Sequence, residues 1–167
     1  LTAAALAIFV MKQIPLSRGL FALVDDEDYE FLAQFKWNAF GRQSHVYASG
    51  RVGGKTVFMH RLILGITESK VVCDHINGCG TDNRRCNIRP CSHAENMRNQ
   101  SKIFRETSSI YKGVRFHKRD KKWLARIRCD YKEFHIGTFN DEKSAAIAYN
   151  NAAKALHGDF ARLNKIE

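Results

Sequence analysis

Several features are scarce in this sequence. It has two prolines in 167 residues and no low-complexity tract, which excludes a proline-rich spacer or a repetitive disordered chain. With 44% apolar and 26% charged residues, it has the proportions of a globular protein. No apolar run approaches the roughly 20 residues needed to cross a bilayer. The uncharged stretch Leu1–Val10 is too short to span and lacks the basic start and cleavage site of a secretory leader. Met11 opens a new polar-apolar pattern, so residues 1–10 are expected to be upstream sequence outside any domain. Five cysteines, Cys73, Cys79, Cys86, Cys91 and Cys129, form no CxxC knuckle of the kind structural zinc uses. Their odd number points to thiols in a reducing, cytoplasmic compartment.

Acid is scarce where base is dense. Between Arg98 and Arg128, eleven Lys or Arg stand against Glu106 and Asp120, and the whole chain carries +10. A polyanion suits such a stretch, because neutralising phosphates releases counterions. No basic amphipathic helix accompanies the charge, so an anionic membrane fits less well. An acidic run, Asp25, Asp26, Glu27, Asp28 and Glu30, lies near the start.

Three regions follow Met11. In residues 11–64, Leu20–Val24 suits a strand, and Asp26–Trp37 has apolar residues near helical spacing. Val46–Arg51 and Lys55–Leu62 flank Gly53-Gly54, which predicts a β-hairpin. Residues 65–100 are dense in His, Asn, Asp and Arg and need something other than burial to organise them. Residues 101–109 read as a basic linker. In residues 110–164, Val114 and Phe116 alternate with Arg115 and His117. Trp123, Ala125, Ile127 and Cys129 alternate with Lys122, Leu124, Arg126 and Arg128, and Phe134 and Ile136 alternate with Glu133 and His135. Period two predicts a three-stranded antiparallel sheet with one buried face. Asn140 or Asp141 then caps a helix with an apolar stripe of Ala145, Ala148, Tyr149, Ala152 and Leu156, ended by Gly158.

The second region holds the chemistry. It reads Asp74-His75-Ile76-Asn77-Gly78, then Asp82-Asn83-Arg84-Arg85-Cys86-Asn87-Ile88-Arg89, then Glu95-Asn96-Met97-Arg98-Asn99. Asp74 offers a hard oxygen ligand, and His75 can take a proton near neutral pH. Neighbouring strand residues point to opposite faces, so a site using both needs a strand end there, and Asn77-Gly78 supplies turn residues just beyond.

These segments, with Met59-His60-Arg61-Leu62-Ile63 upstream, resemble the HNH endonucleases, in the branch found in phage and intron-encoded homing endonucleases. The resemblance covers about residues 11–100. It implies an α+β fold with a ββα-metal core, a hydrolase acting on DNA phosphodiesters, and one magnesium or manganese ion. By position, His75 is the general base, Asn87 on the second strand steadies the loop or orients His75, and Asp74 and Asn96 are metal ligands. Many relatives have histidine at the place of Asn96, and His93, three residues before, is the alternative ligand. His60 is assigned a structural role or a phosphate contact.

In the third region, Tyr111-Lys112-Gly113-Val114-Arg115, Trp123-Leu124-Ala125-Arg126-Ile127-Arg128, His135-Ile136-Gly137-Thr138-Phe139, Ala145-Ala146-Ile147-Ala148-Tyr149 and Leu163-Asn164 resemble the APETALA2/ethylene-response-factor DNA-binding domain. That implies a three-stranded antiparallel sheet packed on one helix, its outer face set in the major groove of double-stranded DNA. Arg115, Lys122, Arg126, Arg128 and His135 would face the DNA. His135 stands where the family commonly has tryptophan, which implies a specificity unlike that of the plant factors. Trp123, among Ala125 and Ile127, is expected in the core. Together the resemblances imply a monomeric endonuclease of a phage or bacterial host cell. The alternative is a DNA-binding regulator with an inactive nuclease core. One site per chain favours a nick over a double-strand break.

Overall fold

The computed structural model describes residues 11–42, 45–102 and 108–166; the expectations for residues 1–10 and for most of the linker fall outside these. The chain mixes small sheets with short helices and divides into two compact units, residues 1–91 and 92–167.

The first unit opens with β1 (Lys12–Pro15) paired antiparallel to β2 (Phe21–Val24), followed by α1 (Asp26–Leu32). The helix ends well short of Trp37, which instead starts β3 (Trp37–Arg42). Trp37 is buried and its indole nitrogen donates to the Leu32 carbonyl at 2.8 Å, so the ring fixes the helix end. β3 pairs with β4 (His45–Val52), and β4 with β5 (Lys55–Phe58). Gly53 and Gly54, at φ +56° and +78°, turn the β4–β5 hairpin as expected of a two-residue loop. The strand expected over Lys55–Leu62 is shorter. It stops at Phe58, and Met59–Ile63 form α2, which buries Met59, His60 and Ile63. The core joins Ile14, Leu16, Val24, Leu32, Trp37, Met59 and Ile88.

The unit closes with a hairpin of β6 (Val72–His75) and β7 (Ile88–Cys91). The long loop between them is tied to β2: Leu23 donates to the Thr81 carbonyl and Asn83 donates to the Leu23 carbonyl, both at 2.8 Å. The acidic run has a partner in this loop. The Arg85 guanidinium meets Asp28 at 2.7 Å and Glu27 at 2.6 Å, and its amide donates to Asp25 at 2.7 Å.

The second unit begins with α3 (His93–Asn99), which carries a reciprocal capping box between Ser92 and Glu95. The sheet has the order β10-β9-β8, all antiparallel, from β8 (Val114–His117), β9 (Lys122–Cys129) and β10 (Lys132–Phe139). α4 (Glu142–His157) starts at Asp141, whose side chain accepts from the Ser144 amide at 2.8 Å, and ends at Gly158. Val114, Ala125 and Tyr111 form one cluster with Ala145 and Ala146, and Ile127 joins Tyr149 and Ala153 in another. Alanines keep the helix close to the strands.

Two expectations fail in this unit. Leu156 is 44% exposed, because the buried stripe runs through Ala145, Ala146, Tyr149, Ala153 and His157. Phe134 pairs with the buried Ile127 yet is 47% exposed. It stands two pairs from the β9–β10 turn, before the register shift between His135 and Gly137.

Candidate functional site

β6 ends at His75, so Asp74 and His75 leave the strand where the chain turns. Both are buried, 4% and 5% exposed. On the opposing strand Arg89 faces Asp74, and its guanidinium donates twice to Asp74 Oδ2, at 2.7 and 3.0 Å.

His75 is set by a different residue. Its Nε2 lies 3.3 Å from Oδ1 of Asn83, which is wholly buried. Asn83 Nδ2 donates to the Thr81 carbonyl at 3.2 Å, which orients the amide with its oxygen toward the ring. An amide oxygen only accepts, so Nε2 carries the proton and the neutral ring has its lone pair on Nδ1. Burial lowers the pKa of His75, and the bond to Asn83 and the carboxylates of Asp74 and Asp82 oppose the shift.

Asn87 lies one residue before β7, not on the strand as predicted. Its Oδ1 accepts from the Asn77 amide at 3.0 Å, and its Nδ2 donates to the Asp82 carbonyl at 2.7 Å. The side chain thus clips both sides of the loop, while the bond that orients the His75 ring comes from Asn83. Asp82 is braced by Arg84, with contacts of 2.7 Å, and by Asn77 Nδ2 at 2.9 Å. Burial raises the Asp82 pKa, but the Arg84 contacts outweigh it and hold the carboxyl below the usual range.

An aromatic box surrounds His75. The His60 ring meets it edge-on at 4.9 Å, Tyr47 lies at 5.7 Å, and Phe58 stacks on His60 at 5.6 Å. His60 is 7% exposed, and burial first, then His75 and Arg61, push its pKa down to about 3. Its Nδ1 is buried with no hydrogen-bond partner.

A stability prediction follows from His60. Its folded-state pKa lies below the unfolded value, so the native state binds fewer protons between the two. Stability is therefore full above pH 6.5 and lost as pH falls toward 3. At about 1.4 kcal/mol per pH unit, moving to pH 4.5 costs roughly 2–3 kcal/mol through this residue. His60→Phe keeps the stack on Phe58 and cannot titrate. Denaturant melts of the first unit at pH 7 and pH 4.5 should differ by that much less in the variant. An identical acid sensitivity in the two proteins would contradict the assignment.

Asn96 lies on α3 in the second unit, half-buried, with His93 one turn earlier and exposed. Among the described residues no three His, Cys, Asp or Glu side chains group closely enough to cage a metal.

The predicted cationic residues share the outer sheet face. Arg115 lies on β8, Lys122, Arg126 and Arg128 on β9, and His135 stands opposite Arg126 on β10. Arg126 pairs with Glu133 at 2.5 Å, Lys122 donates to Asn140, and His135 lies 3.4 Å from the Thr138 hydroxyl. Arg115, Arg126, Arg128 and Glu133, with Lys102 and Lys112, line a cleft of about 340 Å³. Trp123 packs on the inner side, its ring 5.0 Å from Phe116.

The roles of Asn83 and Arg89 did not emerge from sequence reasoning. Asn83 follows Asp82 in the recognised pattern, but only the register of the loop reveals which asparagine faces the histidine.

Residues 109–159 match the AP2 domain family model. Across 152 residues the chain is 28% identical to a protein of Acanthamoeba polyphaga mimivirus named as an uncharacterised HNH endonuclease, covering 90% of this chain and 78% of that one. It is 47% identical over 57 residues to an ethylene-responsive transcription factor of Arabidopsis thaliana, covering 33% of this chain and 31% of the factor. A dehydration-responsive element-binding protein of the same plant is 46% identical over 56 residues, 16% of its length. The chain is therefore similar over most of its length to a protein named as an HNH endonuclease, and carries an AP2 domain in its carboxy-terminal part.

Proposed function

We propose that the protein is a metal-dependent DNA endonuclease whose AP2 domain selects where it cuts. Residues 65–100 would supply the nuclease motif, and residues 110–164 would hold the DNA. The observation that carries the reading is the buried Asn83–His75 bond, which leaves a neutral histidine with its lone pair on Nδ1 at the end of a strand.

His75 would act as general base. Its Nδ1 takes a proton from water as the water oxygen bonds to phosphorus and the bond from phosphorus to the leaving sugar oxygen breaks. The lowered pKa keeps the ring unprotonated, and so able to accept, at neutral pH. Asn87 is a positioning residue that holds the loop closed. Asp74 and Asn96 are the proposed metal ligands, an assignment that rests on their places in the motif.

The donor chemistry fits a hard cation. A carboxylate and an amide oxygen suit magnesium or manganese, which need few protein ligands beside water and phosphate oxygens. Arg89 already shares Asp74 Oδ2, so an ion would compete with a guanidinium there. When bound, such an ion stabilises charge on the phosphoryl group and the leaving oxygen.

On the AP2 side, the relatives named as transcription factors and an element-binding protein support binding to double-stranded DNA. The shared face of Arg115, Lys122, Arg126, Arg128 and His135 supplies the cations. Four phosphate contacts, at a slope of about −0.9 each, predict a roughly hundredfold loss of affinity from 50 to 200 mM salt. Gel shifts across that range check it, and a flat response would remove the sheet from DNA binding.

The direct test of activity is supercoiled plasmid with protein and magnesium. Nicking that stops on adding EDTA supports the nuclease. A mobility shift without nicking favours the second reading, a DNA-binding regulator, for which the Arg89–Asp74 pair is the motivating observation.

A further inference from the structure

The sequence pattern groups α3 with the β6–β7 hairpin, yet its contacts build it into the carboxy-terminal unit. The last carbonyls of a helix have no partners within it. At the end of α3, Gln100 leaves helical geometry at ψ +136°, and no glycine closes the turn. The Lys112 ammonium does so instead, donating to the Arg98 carbonyl at 2.7 Å and to the Gln100 carbonyl at 2.6 Å. A cation at a helix C-terminus is also favoured by the helix dipole.

Lys112 is itself held firmly. Its amide donates to Asn164 Oδ1 at 2.6 Å, and Asn164 Nδ2 returns to its carbonyl at 3.0 Å. Asn164 is fastened to α4 by two bonds to Asn150, at 2.7 and 2.9 Å. A second strap joins the Arg98 guanidinium to Asp130, in the turn between β9 and β10, at 2.8 Å. The Lys112 ammonium is thus occupied by two carbonyls at the end of α3. Its position is accounted for if its task is to fix α3.

We infer that Lys112 is a positioning residue of the nuclease: it fastens α3, and with it Asn96, to the AP2 unit, so that the helix is ordered only when that unit is folded. The role given to Asn96 rests on the nuclease reading above; the fastening does not. A chain whose AP2 domain is unfolded would then be unable to nick DNA indiscriminately.

The test uses the full chain with Lys112→Met, which keeps the length of the stem and removes the donors, and separately Asp130→Ala at an exposed position. Hydrogen exchange of residues 92–100 is read beside that of β9 and α4. In Lys112→Met, α3 should exchange about tenfold faster or more, the worth of one charge-assisted hydrogen bond, while β9 and α4 keep their protection. Asp130→Ala should show a smaller change of the same sign, about two- to fivefold, because its ion pair is exposed. Nicking at saturating DNA should fall about tenfold in Lys112→Met, with DNA affinity within about threefold of the parent. Unchanged exchange in α3 overturns the inference. So does a loss confined to DNA affinity, which would make Lys112 a phosphate contact. If Lys112→Met unfolds the unit, β9 and α4 will report it, and unchanged α3 exchange in Asp130→Ala then overturns the inference. A parent protein that never nicks defeats the nuclease reading alone, and the exchange data still decide the fastening.

Discussion

His75→Ala should cut DNA roughly 10²–10⁴-fold more slowly than the parent, the usual worth of a positioned base, and bind it as well as before. The ring stands at the end of β6 with one nitrogen committed to Asn83. The neighbouring His60 cannot take its place, since burial holds its pKa at about 3. Binding should survive because the cationic residues of the sheet belong to the other unit. Single-turnover cleavage at saturating DNA separates the two effects. A variant that cuts at the parental rate would remove His75 from the chemistry. Asn83→Ala offers an intermediate case: the histidine remains, but its tautomer is no longer imposed.

Gly113→Ala should destabilise the second unit by about 2–5 kcal/mol. Gly113 has φ +76°, and a Cβ there would lie 2.0 Å from the Tyr149 ring and 2.6 Å from the Arg126 carbonyl. The left-handed conformation costs a non-glycine residue about 1–2 kcal/mol. Forcing a methyl into a packed site costs about 1–3 kcal/mol more. Tyr149 cannot retreat easily, because it is 3% exposed and packed on Ile127 and Ala153. Against a typical domain stability of about 5–15 kcal/mol, this removes a large part. The two tryptophans make the test local. Trp37 belongs to the first unit and Trp123 to the second. On heating, the indole signal of Trp123 should lose its native NMR position first, while that of Trp37 persists. Equal melting of the Trp123 signal in parent and variant would show that the contact yields without cost.

Much of the second unit was legible from local rules. Strict alternation along β9, the Asp141 cap and Gly158 each depend on neighbours in sequence, and each stands where the pattern put it. Leu156 falls off the buried stripe by a slight rotation of the helix face that local periodicity does not fix, and Phe134 is exposed although it pairs with the buried Ile127. In the first unit, α2 was hidden in a short apolar run, where period two and period 3.6 cannot be told apart. Of the candidate site, Asp74, His75 and Asn87 stand out in the pattern, but the residues they bond to do not. Asn83 and Arg89 act through the register of the hairpin and its loop, and Arg85 meets Asp28 across 57 residues of chain. The bonds from Lys112 to α3 are likewise non-local, so the sequence grouped the helix with its neighbours and the contacts grouped it elsewhere.

On the proposed reading, one part of the chain cuts where another part directs it. Sequencing the ends produced from a randomised DNA library, with the parent protein and with a double variant Arg126→Ala, Arg128→Ala, tests it most directly. The parent should leave ends at a fixed offset from a recurring sequence. The variant should still cut at high DNA concentration, with that recurring sequence weakened or lost. Ends scattered without any recurring sequence in the parent, or the same recurring sequence in both proteins, would contradict the account.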